Sequence, residues 1–305
     1  MWRIVKKVLL GFLAVVLVVV VFLAGLIIYE GTQGNARLDA ITNTRIPNPN
    51  GPEIRAYVAR PSKPGPHPAV IMIHEFFGLN EDIIGKAQAL ADEGYVVVAP
   101  DVFRGSTTQQ IPRAIFQVIT NGADQVNTDV DAVMTWLTSQ PDVQADRAGI
   151  IGFCFGGRTS LLYSLHNNQI AATAVLYGNP VTDAERLKSL PGPVLGIFGE
   201  ADQSIPLDSV RKFETALNEA GVPNEITIYS GQPHAFVTSI EAIRQGGPQG
   251  EAWQQILDFL AQSLQSEKSS NRVGSSVRAD DAFGIDYLAL LAFEHLRHSS
   301  THAQH

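Results

Sequence analysis

Cys154 is the sole cysteine among 305 residues, and it stands inside Gly152-Phe-Cys-Phe-Gly-Gly157, directly after the apolar run Ala148-Gly-Ile-Ile151. A thiol is a strong nucleophile once a neighbour takes its proton. The spacing is that of a nucleophile elbow, in which a strand turns at once into a helix. The turn strains the backbone of its central residue and tolerates only small residues two positions to either side, where Gly152 and Gly156 stand. The following helix, Phe155 to His166, would aim its first N–H groups at the sulfur. That favours a thiolate and, later, the negative oxygen of a tetrahedral intermediate. Taken alone, the same residues also describe a small buried cysteine at a glycine-rich turn.

Proton-handling partners lie downstream. Pro193-Val-Leu-Gly-Ile-Phe-Gly199 reads as a buried strand that runs into Glu200-Ala-Asp202, with Pro206 opening the next helix. Asn224 to Tyr229 alternates like a strand and is followed by Ser-Gly-Gln-Pro and His234-Ala-Phe236. Singly, Asp202 is a capping or turn aspartate and His234 a loop histidine. Together with Cys154 they occupy three successive strand ends in the order nucleophile, acid, base, which is that of α/β-hydrolases. Imidazole would take the thiol proton and the carboxylate would fix its tautomer. Earlier, Pro68 to Ile73 forms a strand ending in His74-Glu75-Phe76-Phe77-Gly78-Leu79-Asn80. In that fold such a loop and the residue after the nucleophile supply the oxyanion-hole amides, which assigns the backbones of Phe76 and Phe155. Glu75 on its own is a loop carboxylate.

The set His74-Glu75-Phe-Phe-Gly78, Gly152-Phe-Cys154-Phe-Gly-Gly157, Gly199-Glu-Ala-Asp202 and His234-Ala-Phe236 resembles the dienelactone hydrolase family over about Glu53 to Gln265. The resemblance implies a Cys154, Asp202, His234 triad. It also implies that Glu75 contacts the resting thiol and helps move its proton when substrate arrives. Tyr95-Val-Val-Val-Ala-Pro-Asp101-Val-Phe-Arg104 is similar to the family segment whose arginine holds a substrate carboxylate, which makes Arg104 the candidate; its alternative is a surface loop cation.

The elements that must position these groups alternate regularly. Strands fall at Ile54 to Ala59, Val70 to Ile73 and Val96 to Ala99, and helices at Glu81 to Glu93, Gln110 to Thr120 and Ala123 to Thr138. Val126, Val130, Val133, Met134 and Leu137 repeat at helical spacing and are core packing. This alternation predicts an α/β-hydrolase fold, a mostly parallel central sheet with helices on both faces and ligands beyond its carboxyl edge.

A hydrophobic content of 45% in a chain of this length supports one large core. A net charge of −8, without basic residues interleaved with aromatics, excludes a nucleic-acid binder. No metal-ligand spacing and no cofactor motif is present. His295, His298, His302 and His305 read as a solvated tail. Val8 to Tyr29 is uncharged for 22 residues, about 33 Å of helix at about 1.5 Å per residue, which is long enough to cross a bilayer. Arg3, Lys6 and Lys7 precede it, so the positive-inside rule puts the chain beyond Tyr29 on the exported side. The alternative is a cleaved signal peptide, with Gly34-Asn-Ala36 as the cleavage-like site and secretion as the outcome. An exported single cysteine has no disulfide partner in its own chain.

The expected organisation is therefore an N-terminal anchor at 1–30, a polar linker at 31–52, an α/β-hydrolase domain at 53–265 and a C-terminal extension at 266–305. In the extension, Ile285 to Phe293 suits a short amphipathic helix that docks on the domain, meets the membrane or stays disordered. The expected partners are a small lactone or ester substrate and, through the N-terminal helix, the lipid bilayer. The expected activity is hydrolysis through a thioacyl intermediate on Cys154. The same triad would also serve a thioesterase, peptidase or dehalogenase, and a non-catalytic binding module could keep the fold.

Overall fold

The computed structural model describes residues 2–265 and 287–293. In chain order its elements are α1 (Trp2–Ile41), β1 (Thr44–Ile46), β2 (Ile54–Ala59), β3 (His67–Ile73), α2 (Glu81–Asp92), β4 (Val96–Pro100), α3 (Ile111–Thr120), α4 (Ala123–Thr138), β5 (Val143–Phe153), α5 (Phe155–His166), β6 (Ile170–Leu176), α6 (Ala184–Leu187), β7 (Val194–Gly199), α7 (Leu207–Glu219), β8 (Asn224–Tyr229), α8 (Ile240–Arg244) and α9 (Gly247–Leu260), which ends in a π-helical turn over Ala261–Gln265. Residues 287–293 form a further short helix.

The strands make one mixed sheet in the order β1-β2-β4-β3-β5-β6-β7-β8. β1 and β2 pair antiparallel with each other, as do β2 and β4, and every pair from β4 to β8 is parallel. Parallel strands are covered on both faces and therefore read as unbroken apolar runs. Ala69 to Ile73 and Val96 to Ala99 are all fully buried. β5 shows the two covers directly, because residues of opposite parity point to opposite faces. A side chain at Gly149 would meet Leu260 at the end of α9 and Leu264 in the turn after it, whereas one at Gly152 would meet Gly156 and Ser160 of α5. The registers Ile73 with Gly152, Gly152 with Val175, Leu176 with Ile197 and Gly199 with Tyr229 align the strand ends along one carboxyl edge.

The N-terminal region departs from expectation. Val8 to Val21 are exposed apolar residues, and α1 is the one helix among the described residues long and apolar enough to cross a membrane. The segment 31–52 is not a linker, since α1 continues to Ile41 and β1 then joins the sheet edge. Glu30, Gly34 and Leu38, four residues apart, form the buried stripe of this end of α1. Glu30 accepts hydrogen bonds from Arg37 (3.0 Å) and Thr108 (2.9 Å). A Cβ at Gly34 would stand 2.8 Å from the Thr107 carbonyl, so the helix backbone lies directly on that loop. A stripe one residue wide and an edge strand of three leave most side chains in water, which is why the sequence reads as polar there. The four C-terminal histidines lie outside the described residues.

Candidate active site

The turn between β5 and α5 carries Cys154 at φ 57°, ψ −113°, in the left-handed half of conformational space. Such a turn costs about 1–3 kcal/mol and needs its surroundings to hold it. The Cys154 amide donates to the Leu176 carbonyl (2.9 Å), and the Cys154 carbonyl accepts from Gly157 (3.0 Å) and Arg158 (3.3 Å). Both flanking glycines are sterically required. A Cβ at Gly152 would lie 2.0 Å from the Gly156 carbonyl oxygen, and one at Gly156 would lie 2.3 Å from that of Ile73. This close packing sets the start of α5 against the end of β3 and puts Phe155 beside the His74 to Asn80 loop. The Phe155 and His74 rings stack with centroids 6.2 Å apart.

That loop is pinned from several sides. Gln117 of α3 donates to the Phe76 carbonyl (2.7 Å), and Thr107 donates to Leu79 (2.9 Å). The fully buried His74 bonds the Glu75 carbonyl through Nδ1 (2.7 Å) and accepts from the Val102 amide at Nε2 (3.3 Å). Burial pushes its pKa down to about 4 against the pull of its backbone hydrogen bonds, so the ring is neutral. His74 thus serves as a strut between two loops.

Asp202 and His234 meet at the far side of the sulfur. His234 Nδ1 lies 2.7 Å from Asp202 Oδ2, and the Cys154 sulfur neighbours the same ring. The other carboxylate oxygen, Oδ1, accepts from the Ser204 amide (2.8 Å), the Ser204 hydroxyl (2.7 Å) and the Ile205 amide (3.0 Å). Burial opposes charge on both groups. For His234 the neighbouring sulfur and the Asp202 hydrogen bond outweigh it and push the imidazole well above its usual pKa; for Asp202 the bonds from His234, Ser204 and Ile205 outweigh it and lower the carboxyl. The arrangement can carry a proton from the sulfur to the imidazole while holding the ring in one tautomer.

Glu75 sits in the same buried region. Burial raises its pKa, opposed by Lys86 and His234 and aided by Asp82. Lys86 of α2 is 1% exposed, donates to the Thr238 carbonyl and lies 5.0 Å from the Phe153 ring centroid. Among the described residues no group of three or more His, Cys, Asp and Glu side chains is arranged to hold a metal.

Residues 54–264 match the model of the dienelactone hydrolase family. The chain belongs to that family. A candidate carboxymethylenebutenolidase of Methylorubrum extorquens is 32% identical over 232 residues, covering 72% of this chain and 79% of the relative. Another from Salmonella typhimurium is 35% identical over 234 residues, covering 72% and 86%. The crystal structure of a candidate dienelactone hydrolase from Klebsiella pneumoniae, 34% identical, superposes with a TM-score of 0.64 over 72% of this chain and 97% of its own. The protein is accordingly a hydrolase of the dienelactone hydrolase type with an α/β-hydrolase fold.

Within this dienelactone hydrolase domain the structure brings Cys154, Asp202, His234, Glu75 and the backbones of Phe76 and Phe155 to one sheet edge. Cys154, Asp202 and His234 are not at successive strand ends, because β6 lies between β5 and β7. Its small residues, Ile170-Ala-Ala-Thr-Ala-Val-Leu176, gave little strand signal. The end of β6 adds Tyr177, which is fully buried at φ 39° with its ring edge-on to His234 (centroids 5.3 Å). Arg104 is in a bidentate pair with the fully buried carboxylate of Asp129, at 2.9 Å from both Nε and Nη2, which also accepts from Asn48 (2.7 Å).

Sequence reasoning missed Ser204, Lys86 and Tyr177. Ser204 stands two residues after Asp202, the spacing at which a hydroxyl or amide closes an Asx turn, so a signal was present. Tyr177 follows a strand end. Lys86 gives none, since a lysine on an amphipathic helix reads as solvent-facing.

Proposed function

We propose that this family member opens a lactone or small carboxylic ester through a thioacyl intermediate on Cys154. The observation that carries the reading is the buried His234 ring bonded through Nδ1 to Asp202 (2.7 Å) beside the sulfur of a left-handed elbow residue. His234 takes the thiol proton through Nε2 as the sulfur attacks the carbonyl carbon. The oxygen becomes an oxyanion that accepts from the Phe76 and Phe155 amides. Collapse breaks the C–O bond, His234 returns the proton to the leaving alkoxide, and the acyl group remains as a thioester. Water deprotonated by His234 then attacks that thioester, releasing the acid and restoring the thiol. Glu75, near Lys86 and His234 and with its carboxyl raised by burial, helps move the thiol proton when substrate arrives. A contact from Arg104 to a substrate carboxylate would have to displace its two bonds to Asp129, and the mechanism does not depend on it.

The same reading holds α1 in a bilayer with the hydrolase domain on the exported side. Packing of Glu30, Gly34 and Leu38 against the domain favours an uncleaved segment, because cleavage after Ala36 would remove two of these three contacts. The test is a panel of lactones, p-nitrophenyl esters and thioesters turned over by parent and Cys154→Ala proteins. The parent should prefer one oxygen-ester or lactone class, and Cys154→Ala should lose at least a thousandfold in kcat/KM. Turnover by Cys154→Ala within tenfold of the parent would refute the nucleophile. A preference for thioesters would shift the substrate class.

A further inference from the structure

The amphipathic segment singled out near the C-terminus reaches the catalytic centre. Residues 287–293 are helical, with Tyr287 (7% exposed), Leu288 (3%) and Leu291 (0%) buried while Leu290 and Phe293 stay exposed. These inward positions follow one helical stripe. They join the apolar cluster that also holds Cys154, Phe155, Tyr177 and Phe236. The Tyr287 hydroxyl is sealed from solvent and has the Cys154 sulfur, Asp202 and Arg158 as its electrostatic neighbours. The helix 287–293 lies outside the segment shared with the family, which ends at residue 264.

This placement has a chemical consequence. Attack needs a carbonyl carbon within about 3–3.5 Å of the sulfur, on a side free of the imidazole. Here Cys154 is 1% exposed and His234 5%, and the sulfur already has the imidazole and the Tyr287 phenol as neighbours. The triad is completed by β5, β7 and β8 and their loops without help from the short helix. Twenty-one residues separate Gln265 from Tyr287, a length that can span up to about 70 Å, so the helix can leave the site without the chain parting from the domain.

We propose that the helix 287–293 is a displaceable cover of the active site, with Tyr287 as its latch on Cys154. The cover shields the sole thiol at rest. Substrate gains the sulfur only when Tyr287, Leu288 and Leu291 withdraw, and the apolar surface they leave favours an apolar acyl group. That substrate preference rests on the hydrolase reading above, whereas the shielding does not.

The experiment uses the detergent-solubilised full chain and reads alkylation of Cys154 by iodoacetamide through intact mass, beside hydrolysis of p-nitrophenyl butyrate. Leu291→Glu undocks the helix from a position one helical turn beyond Tyr287, and Tyr287→Phe removes the latch while keeping the apolar contact. Circular dichroism establishes that each variant retains the parent fold. Leu291→Glu should raise the alkylation rate at least tenfold and lower KM, with kcat within threefold of the parent. Tyr287→Phe should raise alkylation about two- to fivefold. Parental alkylation rates in both variants would overturn the proposal. So would a hundredfold loss of turnover in Tyr287→Phe at an unchanged alkylation rate, which would make Tyr287 a proton donor in the reaction. Faster alkylation in Leu291→Glu without hydrolysis by any variant would uphold the cover and remove the hydrolase reading.

Discussion

Asp202→Asn is the most informative single change, because the hydrogen bonds around this carboxylate decide in advance how the new amide must sit. Oδ1 accepts from two amides and one hydroxyl at 2.7–3.0 Å, all donors in this arrangement. The asparagine oxygen must take that place, since turning the NH2 there would lose three bonds and oppose donor with donor. The NH2 then faces His234 Nδ1 across the 2.7 Å now spanned by Oδ2. Nδ1 becomes an acceptor, Nε2 carries the hydrogen, and the ring can no longer take the proton of Cys154. A wrong tautomer in an intact triad costs about 10³–10⁴ in kcat, which is about 4–5.5 kcal/mol at 1.36 kcal/mol per tenfold. Stability should change far less. One charge-assisted bond of about 1.5–3 kcal/mol becomes a neutral one of about 0.5–1.5 kcal/mol, a net loss of about 1–2 kcal/mol. The assay is kcat/KM on the best ester of the panel together with thermal unfolding, where Tm should fall by about 2–8 °C. An Asp202→Asn protein that keeps more than a tenth of the parental kcat/KM would refute the assignment of Asp202 as the group that orients the base.

Gly152→Ala should fail to give folded protein rather than a folded inactive one, because its Cβ would stand 2.0 Å from the Gly156 carbonyl and 2.5 Å from Ser160 Oγ; soluble yield and circular dichroism check this, with a loss above about 3 kcal/mol expected. Glu75→Gln should lower turnover at least tenfold with little change in unfolding, since burial already biases Glu75 toward its neutral form, and its iodoacetamide profile should shift in pH. In pH-dependent unfolding, the depressed Asp202 gives stability that is present above its ordinary value of 3.8 and lost as pH falls through the folded value. The raised His234 gives stability present below 6.5 and lost as pH rises through its higher folded value, and Cys154→Ser should move that alkaline loss to lower pH, as nuclear magnetic resonance of the ring nitrogens can track.

The parts of the fold legible in the sequence are those built from buried parallel strands and amphipathic helices. The expected strands Pro68 to Ile73, Pro193 to Gly199 and Asn224 to Tyr229 correspond to β3, β7 and β8, and the helix Phe155 to His166 is α5. Long apolar runs bounded by Gly, Pro and Asn carry that information locally. The edge strand β1 has three residues and one buried side chain, too little for periodicity to register. The docking of α1 on the Thr107 loop and of Tyr287 near Cys154 are tertiary facts, made by residues 73 and 133 positions apart. Of the site, the residues proposed to do chemistry stood out by their types and strand-end addresses. Tyr177 and Lys86 beside them did not, because they act through burial and hydrogen-bond geometry, which no spacing encodes, whereas Ser204 carried only the local signal of its Asx-turn spacing from Asp202.

The central claim is that acyl transfer passes through the Cys154 sulfur, and the most direct measurement is intact and peptide mass spectrometry of protein acid-quenched during turnover of a slowly deacylated p-nitrophenyl ester. One acyl mass per chain should form on the peptide holding Cys154 in the parent and be absent from Cys154→Ala. Steady turnover with no acyl mass on that peptide, or equal turnover by Cys154→Ala, would contradict it.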